Sequence, residues 1–131
     1  MTTVIVDGNN VIGSVPDGWW RDRPAAARRL HARLVCYRRR SGDRIVLVLD
    51  VAQPDLPEGV QDGIEVRYPT RPGRNAADAR IVALVDELAG VAGSVVAVVS
   101  SDRVLAADVA ARGGTAIGAG GFLARLEDVG C

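Results

Sequence analysis

Four aspartates occupy positions at which carboxylates can act together. Asp7, Asp50 and Asp102 each stand within three residues of the end of a short apolar run, and Asp78 opens a long helical pattern. Neighbouring carboxylates repel one another and raise one another's pKa unless a cation neutralises them. Oxygen ligands of this kind suit hard divalent cations such as Mg²⁺ or Mn²⁺. The four residues therefore indicate a metal site.

The apolar runs explain how distant aspartates come together. Residues 4–6, 45–49 and 95–99 are rich in β-branched side chains and do not alternate with polar ones, so they read as strands buried on both faces. In a parallel sheet the carboxyl ends of all strands lie along the same edge. Right-handed crossovers place the first strand between the second and the fourth. Gly8 lets the chain turn sharply after the first strand.

The remaining pattern alternates helices with strands. It predicts one domain over residues 1–131, a three-layer α/β/α sandwich on a parallel sheet. Asp78 shares the apolar stripe of its helix, so we expect its carboxylate to face the sheet. Helices are predicted over 23–40, 75–90 and 120–128, and a short helix is predicted around Leu105 and Val109. Two further strands are predicted, one over 64–68 at the edge of the sheet with one solvent-exposed face, and one over 115–117. Loops are predicted over 11–22 and 51–63.

Each aspartate also has a purely structural interpretation. Asp7 and Asn10 can cap the next turn, Asn75 and Asp78 have the spacing of a capping box, and Asp102 suits a helix N-terminus. These interpretations explain the residues singly. The predicted placement of all four at one end of the sheet favours the metal site.

Composition excludes several function classes. Acidic and basic residues balance at sixteen each, so affinity for a polyanion must come from local patches. Every basic residue is arginine, which excludes a P-loop lysine or a lysine Schiff base. One histidine, His31, and two distant cysteines do not make a zinc site or a disulfide scaffold. No signal segment or membrane span is seen, so we expect a cytoplasmic protein without membrane contacts.

Four motifs, taken in order, carry a resemblance that covers the chain. The motifs are Val-Asp-Gly-Asn-Asn-Val-Ile at 6–12, Val-Leu-Asp at 48–50, Asn-Ala-Ala-Asp-Ala-Arg-Ile at 75–81 and Val-Ser-Ser-Asp-Arg at 99–103. With them the sequence resembles the NYN domain of the PIN-like nuclease superfamily, and within it the YacP-like group. That resemblance implies a Rossmann-like sandwich with strand order 3-2-1-4-5.

The resemblance also implies an activity, which is metal-dependent cleavage of RNA by an acidic cluster. Asp7, Asp78 and Asp102 match the acidic, metal-holding positions of the family, and Asn10 matches its polar partner. Asp50 is expected to support them, although Val51 stands where relatives often have glycine. Asn9 stands where they often have tyrosine. We therefore expect a ribonuclease that uses Mg²⁺ or Mn²⁺.

Two other functions remain open. One is an RNA-binding module that has the fold and little catalysis. The other is a phosphatase of the haloacid dehalogenase type, which needs an aspartate two residues after its nucleophile and usually a lysine. Asn9 occupies that position and the chain has no lysine, so this function is disfavoured.

Arginines and tryptophans supply candidate contacts to RNA. Arginines beside the acidic positions can bind phosphate, and tryptophans can stack on unpaired bases, although a tryptophan pair in a loop more often packs that loop down. We expect Arg38–Arg40 instead to be solvated at the end of its helix, where positive charge complements the helix dipole. The predicted nucleic-acid contacts are Arg71, Arg74, Arg103, Trp19 and Trp20.

Overall fold

The fold is a twisted sheet covered by helices on both faces. The structure, a computed structural model, describes residues 1–131 without a gap. The strands are β1 (Thr2–Asp7), β2 (Arg44–Val48), β3 (Gly59–Gln61), β4 (Ile64–Arg67), β5 (Val95–Val99) and β6 (Thr115–Ile117). The helices are α1 (Gly8–Gly13), α2 (Arg23–Ser41), α3 (Ala76–Ala89), α4 (Arg103–Ala111) and α5 (Ala119–Asp128), and Trp19–Arg21 forms one short 3-10 turn.

The sheet has the order β3-β4-β2-β1-β5-β6. The five predicted strands keep the expected order 3-2-1-4-5 and are parallel, but a sixth strand, β3, pairs antiparallel with β4. The sheet is therefore mixed, and β4 is not the outermost strand as predicted. Asp62 and Gly63 both have positive φ and connect β3 to β4. An Asp-Gly pair is a hairpin signal, and it lay inside a segment predicted to be an irregular loop.

Two apolar clusters confirm the three layers. Along β1, Val4 and Val6 face one cluster and Ile5 faces the other. The first cluster joins the sheet to α1, α2 and α5, and the second joins it to α3 and α4. Both faces of β1 and β2 are thus buried, which is why their sequences do not alternate.

Gly8 begins a helix rather than a loop. Residues 8–13 form α1 immediately after β1, so the predicted loop over 11–22 starts later than expected. The space around Gly8 explains its presence. A Cβ there would stand 2.7 Å from the Leu49 side chain and 2.9 Å from the Val48 carbonyl oxygen, so α1 approaches β2 through the missing side chain. The backbone of Gly8 does not have a positive φ.

Cys36 of α2 and Cys131 form a disulfide across 95 residues of sequence. Two cysteines without a spacing motif gave no sign of this pairing. Buried His31 contacts the Gln61 carbonyl oxygen at 2.9 Å, so it supports the β3 region. None of the helices combines the length and the hydropathy that a membrane span requires.

Candidate active site

A cleft of about 790 Å³ opens at the carboxyl ends of β1, β2 and β5. Its opposite wall is the loop over residues 69–75, which leads into α3. Parallel α/β sheets commonly bind ligands in this position, outside the strand ends where the order of the strands reverses. The structure brings all five residues predicted for the acidic site onto this one cleft: Asp7, Asn10, Asp50, Asp78 and Asp102.

Asp7 forms the floor of the cleft and is only 6% exposed. Its Oδ2 accepts a hydrogen bond of 2.8 Å from the Ser100 hydroxyl. Burial raises the pKa of Asp7 to about 6; the Ser100 hydrogen bond opposes this shift, and the charges of Asp78 and Asp50 add to it. Near neutral pH this carboxylate therefore carries a charge that its hydrogen bonds compensate only in part.

Asp78 lies in the first turn of α3, on the wall facing Asp7. Burial raises its pKa, and the nearby charges of Asp102, Asp50 and Asp108 raise it further. The alternative of a capping box fails, because Asn75 has a φ of 61° and its side chain caps no helix N–H group. Asp78 therefore does not form a capping box with Asn75, and the charged groups near it are other carboxylates.

Asp102 has both of the roles considered for it. Its Oδ1 caps α4 by accepting from the N–H groups of Val104 at 2.9 Å and Leu105 at 3.1 Å. Its side chain also lines the cleft. Its Oδ2 accepts no hydrogen bond from the chain, so the cap leaves one carboxylate oxygen available.

Two amides connect the ends of three strands. Asn10 Oδ1 accepts from the Ser101 N–H group at 2.9 Å, next to the end of β5. Asn9 Oδ1 accepts from the Asp50 N–H group at 2.8 Å, next to the end of β2. The amide oxygens are therefore engaged, whereas the amide nitrogens donate no hydrogen bond within the chain. Sequence reasoning missed the roles of Asn9 and Ser100; their positions directly at strand ends were the available signal.

The predicted RNA-contacting residues do not all share the cleft. Arg71 and Arg74 line it, and they also line a second cavity of about 220 Å³, together with Arg80, which sequence reasoning missed. None of these three arginines belongs to an ion pair. Exposed Arg103 follows Asp102 but lies outside the lining of the cleft. Trp19 lines a neighbouring groove, and Trp20, which is 56% exposed, lines no cavity.

The comparison with known families accounts for this architecture. The sequence model of one protein family, the YacP-like NYN domain, matches residues 4–130 of the chain. The chain belongs to the YacP-like NYN family. This family is of nuclease type.

Solved structures of a YacP protein share the fold of this YacP-like NYN chain. The W164L mutant of Rae1 (YacP) from Bacillus subtilis superposes with a TM-score of 0.83 at 23% identity, covering 98% of this chain and 77% of that one. Rae1 (YacP) from Bacillus subtilis without that mutation gives a TM-score of 0.81 at 23% identity, with coverages of 98% and 75%. The search of curated proteins gave no match to the chain.

The donor set of this YacP-like NYN cleft fits a hard cation only in part. All of the candidate donors are oxygens, which suits Mg²⁺ or Mn²⁺. However, no three carboxylate, histidine or cysteine side chains are grouped so that they could hold an ion. Mg²⁺ usually keeps several waters and binds to one or two carboxylates and to substrate phosphate. The cleft therefore suits a hydrated ion and offers no preformed protein cage.

Proposed function

We propose that this protein is a ribonuclease that hydrolyses phosphodiester bonds of RNA in the acidic cleft with Mg²⁺ or Mn²⁺. One observation carries the proposal. Four aspartates line a single open cleft, and burial raises the pKa of Asp7, Asp50 and Asp78. Repulsion from neighbouring carboxylates raises the pKa of Asp7 and Asp78 further. None of these aspartates forms an ion pair with an arginine, so the chain keeps unfavourable negative charge together there. A cation that is bound with the substrate removes this cost.

The residues take distinct roles in the proposal. Asp7, Asp78 and Asp102 would hold a hydrated ion, some of them through its bound waters, and Asp50 would support them from the rim. A bound Mg²⁺ or Mn²⁺ would lower the pKa of a water and stabilise negative charge on the phosphate. The amide nitrogen of Asn10 donates to a phosphate oxygen or to a bound water, since its amide oxygen already accepts from Ser101.

Arg71 and Arg74 supply the complementary charge in this proposal. Both are exposed on the wall of the cleft, and no acidic side chain pairs with them. They can therefore bind phosphates on either side of the bond that is cleaved. Binding through a local arginine wall is consistent with a chain whose net charge is zero.

A second candidate function is an RNA-binding module without catalysis. One observation favours it, which is that no three potential ligands are grouped to hold an ion. In that case the arginine wall binds RNA and the aspartates act as structural residues. Asp102, which caps α4, already does so.

Labelled RNA separates the two functions. We expect the purified protein to cleave single-stranded RNA with Mg²⁺ or Mn²⁺ and to leave it intact with a chelator. Asp7→Asn and Asp102→Asn should each lower the rate by more than about a hundredfold, because even residues that only support metal ligands cost ten- to a hundredfold. Asp102→Asn is informative because an asparagine still caps α4.

Glu127→Gln is the matched control, since it removes one exposed carboxylate from α5 and should leave cleavage unchanged. All variants are purified identically, so that a contaminating nuclease would act in every sample. RNA that is bound but uncleaved with every metal would support the binding module. Cleavage that persists in Asp7→Asn would place the reaction outside this cleft.

A further inference from the structure

A second groove of about 390 Å³ lies beside the acidic cleft. Asn9 and Val51 line both cavities, so the two are continuous along the surface. A strand of RNA whose phosphate lies in the cleft can therefore extend into a groove of different character. The side chains that give this groove its character are those of Asn9, Trp19, Arg23, Pro24, Gln53 and Pro54.

Trp19 is held in place within this groove. Its backbone N–H donates to Asp17 Oδ1 at 3.1 Å, and Gly18, with a φ of 77°, sets the turn before it. The Arg23 guanidinium carbon stands 5.3 Å from the centre of the Trp19 ring. Trp19 is half-buried, whereas the neighbouring Trp20 packs against it edge-on and is 56% exposed. The two tryptophans therefore have different surroundings.

The chemistry of the groove suits a flat, mostly apolar ring with polar edges. Trp19, Pro24 and Pro54 contribute apolar walls, and Asn9 and Gln53 contribute polar groups. The Asn9 amide nitrogen and the Gln53 side-chain oxygen make no hydrogen bond within the chain, so a donor and an acceptor are available. Pockets that combine apolar walls with a few polar groups bind small planar ligands, and nucleobases stack on aromatic side chains in this way.

Arg23 links the groove to the cleft. Burial raises the pKa of Asp50 and the Arg23 charge opposes that shift, so the guanidinium lies close to the acidic site as well as to Trp19. It makes no ion pair. A cation in this position can neutralise the phosphate of a nucleotide whose base occupies the groove.

We propose that the groove at Trp19 is a nucleobase subsite, which takes one unpaired base of the RNA strand that enters the acidic cleft. This inference rests on the proposed function, because the RNA is the same. A base that remains paired in a duplex cannot enter the groove, so the subsite selects single-stranded RNA. Trp20 contributes little, since it stands outside the groove.

Tryptophan fluorescence tests the subsite without catalysis. The Trp20→Phe variant leaves Trp19 as the single tryptophan, and Trp19→Phe leaves Trp20. In chelator, saturation with an unlabelled single-stranded hexanucleotide should quench Trp19 strongly and Trp20 little. The same sequence in a duplex should not quench Trp19.

Binding constants provide the second measurement. By fluorescence anisotropy with a labelled hexanucleotide in chelator, Trp19→Ala should weaken binding about fivefold to a hundredfold, the range found for a stacked base. Trp20→Ala should stay within about twofold of the parent. Should Trp19→Ala fail to fold, the quenching of Trp19 in Trp20→Phe still decides the question.

The outcomes separate this inference from the proposed function. Unchanged Trp19 emission at saturating RNA, with cleavage intact, overturns the subsite and leaves the nuclease. Quenching of Trp19 without cleavage in any metal supports the subsite and leaves the binding module as the function. Absence of RNA binding both in chelator and with Mg²⁺ or Mn²⁺ overturns both.

Discussion

Carboxyl groups withdrawn from solvent have pKa shifts of opposite sign at the two ends of the sheet. At the amino end, Glu65 of β4 bonds with Arg44, which reaches its Oε1 at 2.8 Å, and with Arg67 at 3.2 Å. The hydrogen bond from Arg44 lowers the pKa of Glu65 despite its burial. At the carboxyl end, burial raises the pKa of Asp7 to about 6, and its neighbours include further carboxylates.

This difference separates charge that the chain compensates from charge that it does not. Desolvation acts to raise the pKa of both carboxyl groups, so burial does not by itself decide the sign of the shift. Arginine is abundant in the sequence, and Arg71 and Arg74 stand across the cleft without pairing an aspartate. Folded proteins seldom leave buried charge unpaired unless a function uses it. The carboxyl end therefore has the features of a site that an external group completes.

The largest effect on stability should come from removing the uncompensated charge. Without metal, Asp7→Asn should raise the free energy of unfolding at pH 7 by up to about 3 kcal/mol, since each pKa unit corresponds to about 1.36 kcal/mol. The folded parent binds more protons than the unfolded chain between the ordinary value of 3.8 and about 6. Its stability thus falls as pH rises through that window.

Urea unfolding in chelator over a series of pH values measures this effect. The gain in Asp7→Asn should shrink below pH 6 and disappear below about pH 4. The exposed control Glu127→Gln should show no such window. A mutant that is less stable than the parent by the same amount at every pH would mean that the chain already compensates Asp7.

The compensated end should give a smaller effect of opposite sign. Glu65→Gln should lower the free energy of unfolding at pH 7 by about 1 kcal/mol, a value discounted because the Arg44 side chain is 38% exposed. The pKa of Glu65 is lowered, so its contribution is present above the ordinary value of 4.5 and is lost as pH falls through the folded pKa.

The same urea series measures this second effect. The difference in unfolding free energy between Glu65→Gln and the parent should be negative at pH 7 and rise to zero in acid. The same difference for Asp7→Asn should be positive at pH 7 and fall to zero in acid. Two pH profiles that slope in the same direction would remove the distinction between the two ends of the sheet.

The smallest effect concerns the arginines near each end. Arg71→Ala and Arg74→Ala should each weaken RNA binding and lower the slope of log Kd against log salt by about one unit or less, because each removes one phosphate contact. Arg39→Ala is the control, since Arg39 is exposed at the end of α2 that lies at the amino end of the sheet.

Anisotropy titrations over a salt series in chelator give these slopes. The RNA stays uncleaved under those conditions, so the slopes report binding alone. Equal slopes for the three variants would mean that RNA does not follow the wall of the cleft.

Much of the fold could be predicted because its cause is local in the sequence. The buried strands are continuous apolar runs, and the rules for parallel connections then bring Asp7, Asp50 and Asp102 to one end. The start of α1 could not be predicted, since Gly8, Asn9 and Asn10 are poor helix formers. Tertiary packing decides it, through the close approach of Gly8 to β2.

The details of the cleft depend on side-chain geometry that a pattern does not contain. Sequence position could suggest that the aspartates face one another, but it could not give their spacing, and no group of three ligands results. It also could not show that Asp102 caps α4 while it lines the cleft. The disulfide between Cys36 and Cys131 joins distant parts of the chain that share no local signal.

The two amides after β1 have a mechanical consequence. Asn9 and Asn10 each bind a backbone N–H group just beyond a neighbouring strand, where the ladder of the sheet has ended. These two hydrogen bonds connect the end of β1 to the ends of β2 and β5. The positions of Asp50 and Asp102 along the strand axis, relative to Asp7, therefore depend on the position of β1. A displacement of β1 along its axis would carry both neighbours with it. Asp7, Asp50 and Asp102 would then move together, and the spacing among these three carboxylates would be preserved.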